Sequence, residues 1–374
     1  MRELTPDDAR WAVLGGGVFA CGGGGWQDHG ELMGGLATSL NRPVLASVDE
    51  LPADSWVATV TAIGAPAASD WEIRPVDYVN ALAKLIELSP HPIAAVITGQ
   101  NGYSTTLNGW IQSSVLGVKV LDAAGDVRAH PTGKLGSLGL TTREGYETIQ
   151  VVSGGNRARH GHLLSINVGR VDTCDDVLRD ISVRSGGFIA SARNPVELSW
   201  VKEHAALGVI SLALDLGRAM AEAGAGKPRA GKRVTKTVVD FLGGDVVDEG
   251  PLGHAVELVT KGGWDHGTFQ IGEHTVPYLN EYMAIDGPGG RVATYPDTIF
   301  ILRKDNGLPL AVKDAVAGLD VTLVRVPATQ LPLSSSAVDR VAVGECEDIM
   351  GIEFLKYLPE RPGKDERTPH GSPA

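Results

Sequence analysis

The sequence predicts an α/β N-terminal domain on a mostly parallel sheet, followed by a β-rich, barrel-like C-terminal domain. Two patterns and one size argument carry this. Strand-length apolar runs alternate with helical periodicities as far as Leu121, the pattern of a parallel sheet with helical crossovers. Beyond a polar hinge at 224–232, short apolar runs are separated by glycine and proline turns, which reads as β structure. The chain has 374 residues, more than one hydrophobic core usually spans, so two domains are expected.

Taken in order, Thr5-Pro6-Asp7-Asp8 combines an N-cap, a first-turn proline and two acids suited to the positive end of a helix. Trp11, Leu14, Val18 and Phe19 follow at helical spacing, so a first helix runs to about Ala20. Gly22 to Gly25 end it, and Asp28 caps a second helix through Leu40. Strands are expected at 43–48, 56–63, 93–97 and 118–121, with helices at 76–88 and 104–116 between them. Residues 147–153 and 162–168 alternate as a hairpin across Gly154-Gly155-Asn156. Residues 194–223 hold two helical patterns, opened by Asn194-Pro195 and split at Gly208. Further strands are expected at 234–241, 255–260, 268–271, 299–302 and 321–326. The domains are placed at 1–165 and 166–358, with the 194–223 pair packed back on the first. The tail, 359–374, has too little apolar surface to bury and is expected to be disordered.

Composition excludes several classes. A formal charge of -12 with scattered Lys and Arg argues against nucleic acid as a partner. No apolar run is long enough to span a bilayer and no secretory leader opens the chain, so a cytoplasmic protein without membrane contact is expected. Three cysteines, Cys21, Cys174 and Cys346, form no CxxC pair, so neither a disulfide framework nor a cysteine zinc site is indicated. A small-molecule substrate is the expected partner, and self-association into a homo-oligomer is left open.

The stretch FACGGGGWQDHGEL is the first candidate site. A dinucleotide fingerprint needs a strand before its glycines, and the P-loop needs a Gly-Lys-Ser/Thr ending; neither is present. Backbone N–H groups of Gly22, Gly23, Gly24 and Gly25 can instead form an anion-binding nest at the mouth of the second helix. Cys21 at its edge is a candidate thiolate nucleophile and His29 a candidate base. The plain alternative is a helix-to-helix turn with a buried cysteine and a solvated histidine. Ligands gather at the carboxyl ends of parallel strands, so the loops after Ile63, Ile97 and Leu121 should face one cleft. They bring Gly64, Gln100, Asn101, Tyr103, Asp122 and Arg128. Gln100, Asn101 and Tyr103 suit the N–H and C=O edges of a ureide, and Arg128 suits a carboxylate. Glu281 and Asp297 are carboxylates that burial would convert into bases, and each also reads as a turn or cap residue; Asp122, in the loop after Leu121, is a further catalytic candidate. His160 and His162 share a strand face, with His130, Asp265 and His266 as further ligands if zinc binds; surface histidines explain the same residues. No motif requires a cofactor.

Together, CGGGGWQDHGELMGGL, IGAPAASDWE, LDAAGDVRAHP, GGFIASARNPVELSWVK, NEYMA, YPDTIFIL and GLPL resemble, in this order, the bacterial S-methyl-thiohydantoin desulfurase family, which is related to hydantoinase-associated proteins. The resemblance covers residues 4–359. It implies the same two-domain architecture and a role in opening or hydrolysing small five-membered ureide or thioureide rings. It also implies carboxylates where this chain has Thr98 and Ala124, retains Asp122, and has threonine as the common residue at Cys21. The function expected is hydrolysis of a cyclic amide or thioamide by Cys21 thiolate or activated water, with the glycine nest stabilising the oxyanion. The alternative is a non-catalytic ligand-binding or regulatory partner of a hydantoinase-like enzyme.

Overall fold

The computed structural model describes residues 1–253, 259–261 and 263–359. The N-terminal layer runs β1 (Arg2–Glu3), α1 (Pro6–Phe19), α2 (Gln27–Leu40), β2 (Val44–Ala46), β3 (Trp56–Gly64), α3 (Pro75–Leu88), β4 (Ile93–Thr98), α4 (Trp110–Leu116) and β5 (Lys119–Ala124). It continues with β6 (Thr148–Gly154), β7 (Leu163–Gly169), α5 (Val171–Arg184), β8 (Phe188–Glu197), α6 (Leu198–His204), β9 (Ala206–Leu207) and α7 (Val209–Glu222). One nine-stranded sheet has the order β1-β2-β5-β4-β3-β8-β6-β7, with β9 paired to β5. Its centre, β2-β5-β4-β3, is parallel, and β8 joins β3 in antiparallel register.

The start of α1 follows from its sequence. Thr5 Oγ1 accepts from the Asp8 amide and Asp8 accepts from the Thr5 amide at 2.8 Å, a reciprocal cap of the first turn. Asp28 does not cap α2: it lies within the first turn, and Trp26 occupies the cap position. The expected helix over 104–116 is broken at Gly109, whose φ of 95° only a residue without a side chain adopts easily. Asn194-Pro195 lies in β8 rather than opening a helix, because strand pairing with β3 and β6 claims that backbone. For the same reason the large sheet continues past residue 165, through β8 and β9. The helical part of 194–223 packs on the first layer as α7 against α1. A Cβ at Gly15 would lie 1.9 Å from Ala213 O, and one at Gly217 1.9 Å from Trp11 O, so these glycines let the two helices touch.

The second half contains α8 (Gly231–Leu242), β10 (Asp245–Pro251), β11 (Val259–Lys261), β12 (Trp264–Ile271), β13 (His274–Leu279), β14 (Glu281–Tyr282), β15 (Ala284–Gly287), β16 (Gly290–Thr294), β17 (Thr298–Arg303), β18 (Asp320–Val326) and α9 (Arg340–Met350). Two antiparallel sheets form, β10-β18-β17 and β11-β12-β13-β15-β16, the latter with β14 on β13. Phe269, Ile285, Ile299 and Leu323 from both sheets share one core. The strand expected at 234–241 is helix α8, since its buried Val234, Val238 and Leu242 recur every fourth residue. The 255–260 strand falls mostly outside the described residues, and so does nearly all of the 359–374 tail. Phe19 and Val18 of α1 meet Val234, Phe300 and Val324 in a core that joins the two halves. Each large side chain fully buried there contributes about 1.5–3 kcal/mol.

Candidate functional site

The glycine loop is stitched to its surroundings by its carbonyls. Cys21 O accepts from Tyr282 N at 2.6 Å, Gly22 O from Val312 N at 2.8 Å and Gly24 O from Ser104 N at 3.2 Å. The loop thereby touches both the C-terminal half and the loop after β4. Glu281, at the start of β14, lies directly over it: a Cβ on Gly23 would fall 2.1 Å from Glu281 Oε1. The Gly24 amide donates toward the same carboxyl. A side chain of the protein itself thus meets the backbone groups expected to receive an anion.

Gly24, Gly25 and Glu281 border an inner cavity of about 50 Å³ with the strand-end residues Gly64, Gln100 and His130. It widens into a vestibule of about 430 Å³ between α5 and α9. Glu281 is 2% exposed and its Oε2 has no partner among the described residues. Burial pushes its pKa up to about 8, against the opposing influence of the Arg128 charge and the Gly24 amide. Burial thus favours its protonated form, which is able to donate. Arg193 of β8 is buried, pairs through Nη1 with Asp175 Oδ1 at 2.7 Å, and its Nε has no partner among the described residues. Arg179 of α5 donates to Pro131 O and Gly263 O and lies 4.1 Å above the Trp264 ring. Its burial lowers the guanidinium pKa to about 10, so the charge persists at neutral pH. Burial pushes the His130 imidazole down to about 3, keeping it neutral. Its Nε2 lies 3.3 Å from Gly99 O, a carbonyl that can only accept, so that nitrogen carries the proton of the neutral ring. Gln100 Oε1 accepts the His130 amide at 3.0 Å.

Other residues singled out in the sequence are engaged elsewhere. Cys21 is fully buried, and burial pushes its thiol up to about 11, the opposite of what a thiolate nucleophile needs. His29 is buried beside Trp26 and Trp71, with Nε2 3.2 Å from the Tyr78 hydroxyl, and burial lowers its pKa. No hydrogen bond among the described residues joins it to Cys21. Asp122 accepts from Ile210 N at 2.9 Å, Ser211 N at 3.0 Å and Ser211 Oγ at 2.6 Å, which caps α7. Asn101 donates to Val209 O and the Tyr103 hydroxyl to Pro309 O, both as buried braces. Arg128 is fully buried and spends its guanidinium on Ala129 O, Asp297 O and Tyr282 O, so it holds main chain rather than a substrate acid. Thr98 gives its hydroxyl to Gln100 O and Thr105 O and is the register partner of Ala124.

The histidines expected on one strand face precede β7 and diverge: His160 meets Asp70 at 2.6 Å and His162 meets Ser153 at 3.1 Å. Asp265 accepts the Ala67 amide at 2.7 Å. Among the described residues no group of three or more His, Cys, Asp or Glu side chains is placed to hold a metal ion. No described helix is long and apolar enough to cross a membrane. Sequence reasoning passed over Arg193, Arg179 and Asp175. Arg193 carried a signal, a lone charge in the apolar run FIASARN, which is where a buried and paired cation would stand.

Comparison with known proteins follows the same outline. A family model described as S-Me-THD-like, N-terminal domain, matches residues 7–156, and one described as S-Me-THD-like, C-terminal domain, matches residues 170–342. A crystal structure of a protein from Chromobacterium violaceum is similar with a TM-score of 0.71, covering 95% of this chain and 98% of that chain at 20% identity. At that identity the likeness shows the fold alone. No curated protein matches the chain.

Proposed function

The chain belongs to the S-Me-THD-like family, and on that footing we propose that it hydrolyses a hydantoin- or thiohydantoin-like ring at the cleft beside the glycine loop. The observation that carries this reading is Glu281, a buried carboxyl whose pKa burial raises, which lines the inner cavity and has one oxygen without a partner among the described residues. Hydrolysis of an S-methylated ring needs a proton for a poor leaving group. Glu281 gives its proton to the departing sulfur as water adds to the ring carbon and the C–S bond breaks. It takes one proton back from the added water and the water's other proton ends on the ring nitrogen of the former C=N bond, so the carboxyl ends as it began and methanethiol and the ring amide are the products. For cleavage of a ring C–N bond, the same proton goes to the departing nitrogen.

Water, rather than Cys21, is the nucleophile in this reading, because burial holds that thiol in its neutral form. Arg193 and Arg179 supply cationic donors for ring carbonyl or sulfur, and the neutral His130 and Gln100 offer hydrogen bonds to ring N–H groups. The glycines support this by allowing Glu281 to approach the backbone at Gly23 and Gly24. A second reading, a ligand-binding or regulatory role without turnover, draws on Thr98, whose hydroxyl is consumed by backbone acceptors at a position where a carboxylate is expected. Incubation of the purified protein with an S-methyl-thiohydantoin, with methanethiol and the hydantoin product quantified, separates the two. We expect turnover that falls about 100-fold or more in Glu281→Gln. Tight binding without product would instead support the ligand-binding role.

A further inference from the structure

The inner cavity, at about 50 Å³, is far below the roughly 300–1,000 Å³ of small-molecule sites. Any substrate that reaches Glu281 must therefore extend into the vestibule, which shares Ile63, Thr132, Gly133, Arg179 and Arg193 with it. Charge is distributed unevenly along this path. Arg179 and Arg193 stand at the inner end, common to both spaces. Farther out, α5 presents Asp176 and Asp180, one turn apart, and α9 presents Glu345 and Asp348. The Lys134 ammonium already bridges the two helices, 2.9 Å from Asp176 and 2.9 Å from Glu345. That leaves Asp180 and Asp348, both exposed on the rim, with no ion pair among the described residues. On the same wall Asp175, 7% exposed, uses Oδ1 for Arg193 and Gln150 while its Oδ2 has no partner among the described residues. In total the vestibule carries five carboxylates against three cations.

We infer that the ring substrate bears a basic side chain, an ammonium or guanidinium on a flexible stem, whose head is received between α5 and α9 by Asp180 and Asp348. This inference rests on the hydrolase reading for the ring end of the substrate. It deepens that reading by naming the substituent. The cationic inner end repels a second positive group there and so sets the direction in which the molecule lies.

The test compares three S-methyl-thiohydantoins that differ only at the ring carbon bearing the side chain: 4-aminobutyl, n-pentyl and 2-carboxyethyl. The expected kcat/KM is roughly tenfold higher for the amine than for the neutral chain, the size of one or two partly exposed ion pairs, with the acid lowest. In an Asp180→Asn/Asp348→Asn variant the ratio of amine to neutral chain should fall to near one, and in the wild type it should shrink as salt is raised. Equal kcat/KM for amine and neutral chain, or a preference for the acid, overturns the inference while leaving the hydrolase reading intact. Failure to turn over any of the three rings overturns the hydrolase reading. The rank order of their equilibrium binding, measured by calorimetry, then decides the side-chain inference separately.

Discussion

Replacing Glu281 by glutamine isolates the electrostatic feature on which the site is built. The carboxyl is 2% exposed and its pKa rises from 4.5 to about 8 on folding. A raised folded-state pKa means that the native protein binds this proton more tightly than the unfolded chain. The resulting stability is therefore fully present below about pH 4.5 and is lost as pH climbs through 8. A tenfold change in proton affinity is worth about 1.4 kcal/mol, so the rise from 4.5 to about 8 amounts to something on the order of 5 kcal/mol. Glutamine fills the same space and cannot ionise, so this contribution disappears from the variant. Urea unfolding midpoints of both proteins at pH 5, 7 and 9 give the assay. The wild type should lose ground to Glu281→Gln steadily from pH 5 to 9, by several kcal/mol in all. Parallel pH dependences would refute the reasoning, because they would mean that the carboxyl ionises in the folded cleft as it does in water.

Further expectations concern the neighbours of that carboxyl. Cys21→Ala should keep turnover within a few-fold of wild type and lose about 1 kcal/mol of stability, the scale of a small buried deletion; a 100-fold loss of kcat in a folded variant would restore the thiol as nucleophile. Asp122→Ala should cost about 1 kcal/mol in thermal unfolding through loss of the α7 cap, with kcat/KM unchanged; a selective kinetic loss would contradict the cap role. Gly23→Ala places a methyl group against Glu281 Oε1 and should lower kcat by at least tenfold with the protein still folded. Gly24→Val, by contrast, drives its Cβ to 2.7 Å from Gly102 Cα at a φ of 66°, so soluble yield should fall before kinetics can be read.

Local rules made the first helix and most central strands legible: the Thr5–Asp8 cap and the run into β3 are written in neighbouring residues. Helix α8 was not, because Val234, Thr235, Thr237, Val238 and Val239 are β-branched and read as a strand, while tertiary contact with Phe300 and Val324 selects the helix. Helix α5 is rich in charge and shows only Val171, Cys174 and Leu178 as its buried apolar stripe, too thin to stand out. At the site, Gly24, Gly25, Gln100 and Glu281 were all marked by the sequence and all reach the cavity wall. What local pattern cannot tell is which polar residues the fold encloses. Arg128 and Asp122 looked available for substrate, yet partners far along the chain, Tyr282 and Asp297 for one and the first turn of α7 for the other, absorb them. Arg193 and Asp175 lie on separate elements and become a pair only when β8 inserts beside β3 and β6.

The central claim, that a buried Glu281 carboxylic acid donates the proton for ring cleavage, is tested most directly by the pH dependence of kcat/KM with an S-methyl-thiohydantoin. For the wild type we predict a plateau through neutral pH and a decline above about 8, where the free enzyme loses this proton. Glu281→Gln should show a far lower rate without that decline. A wild-type profile that rises from pH 7 to 9, or a glutamine variant with the wild-type rate and the same limb, would contradict the account and move the proton to another group.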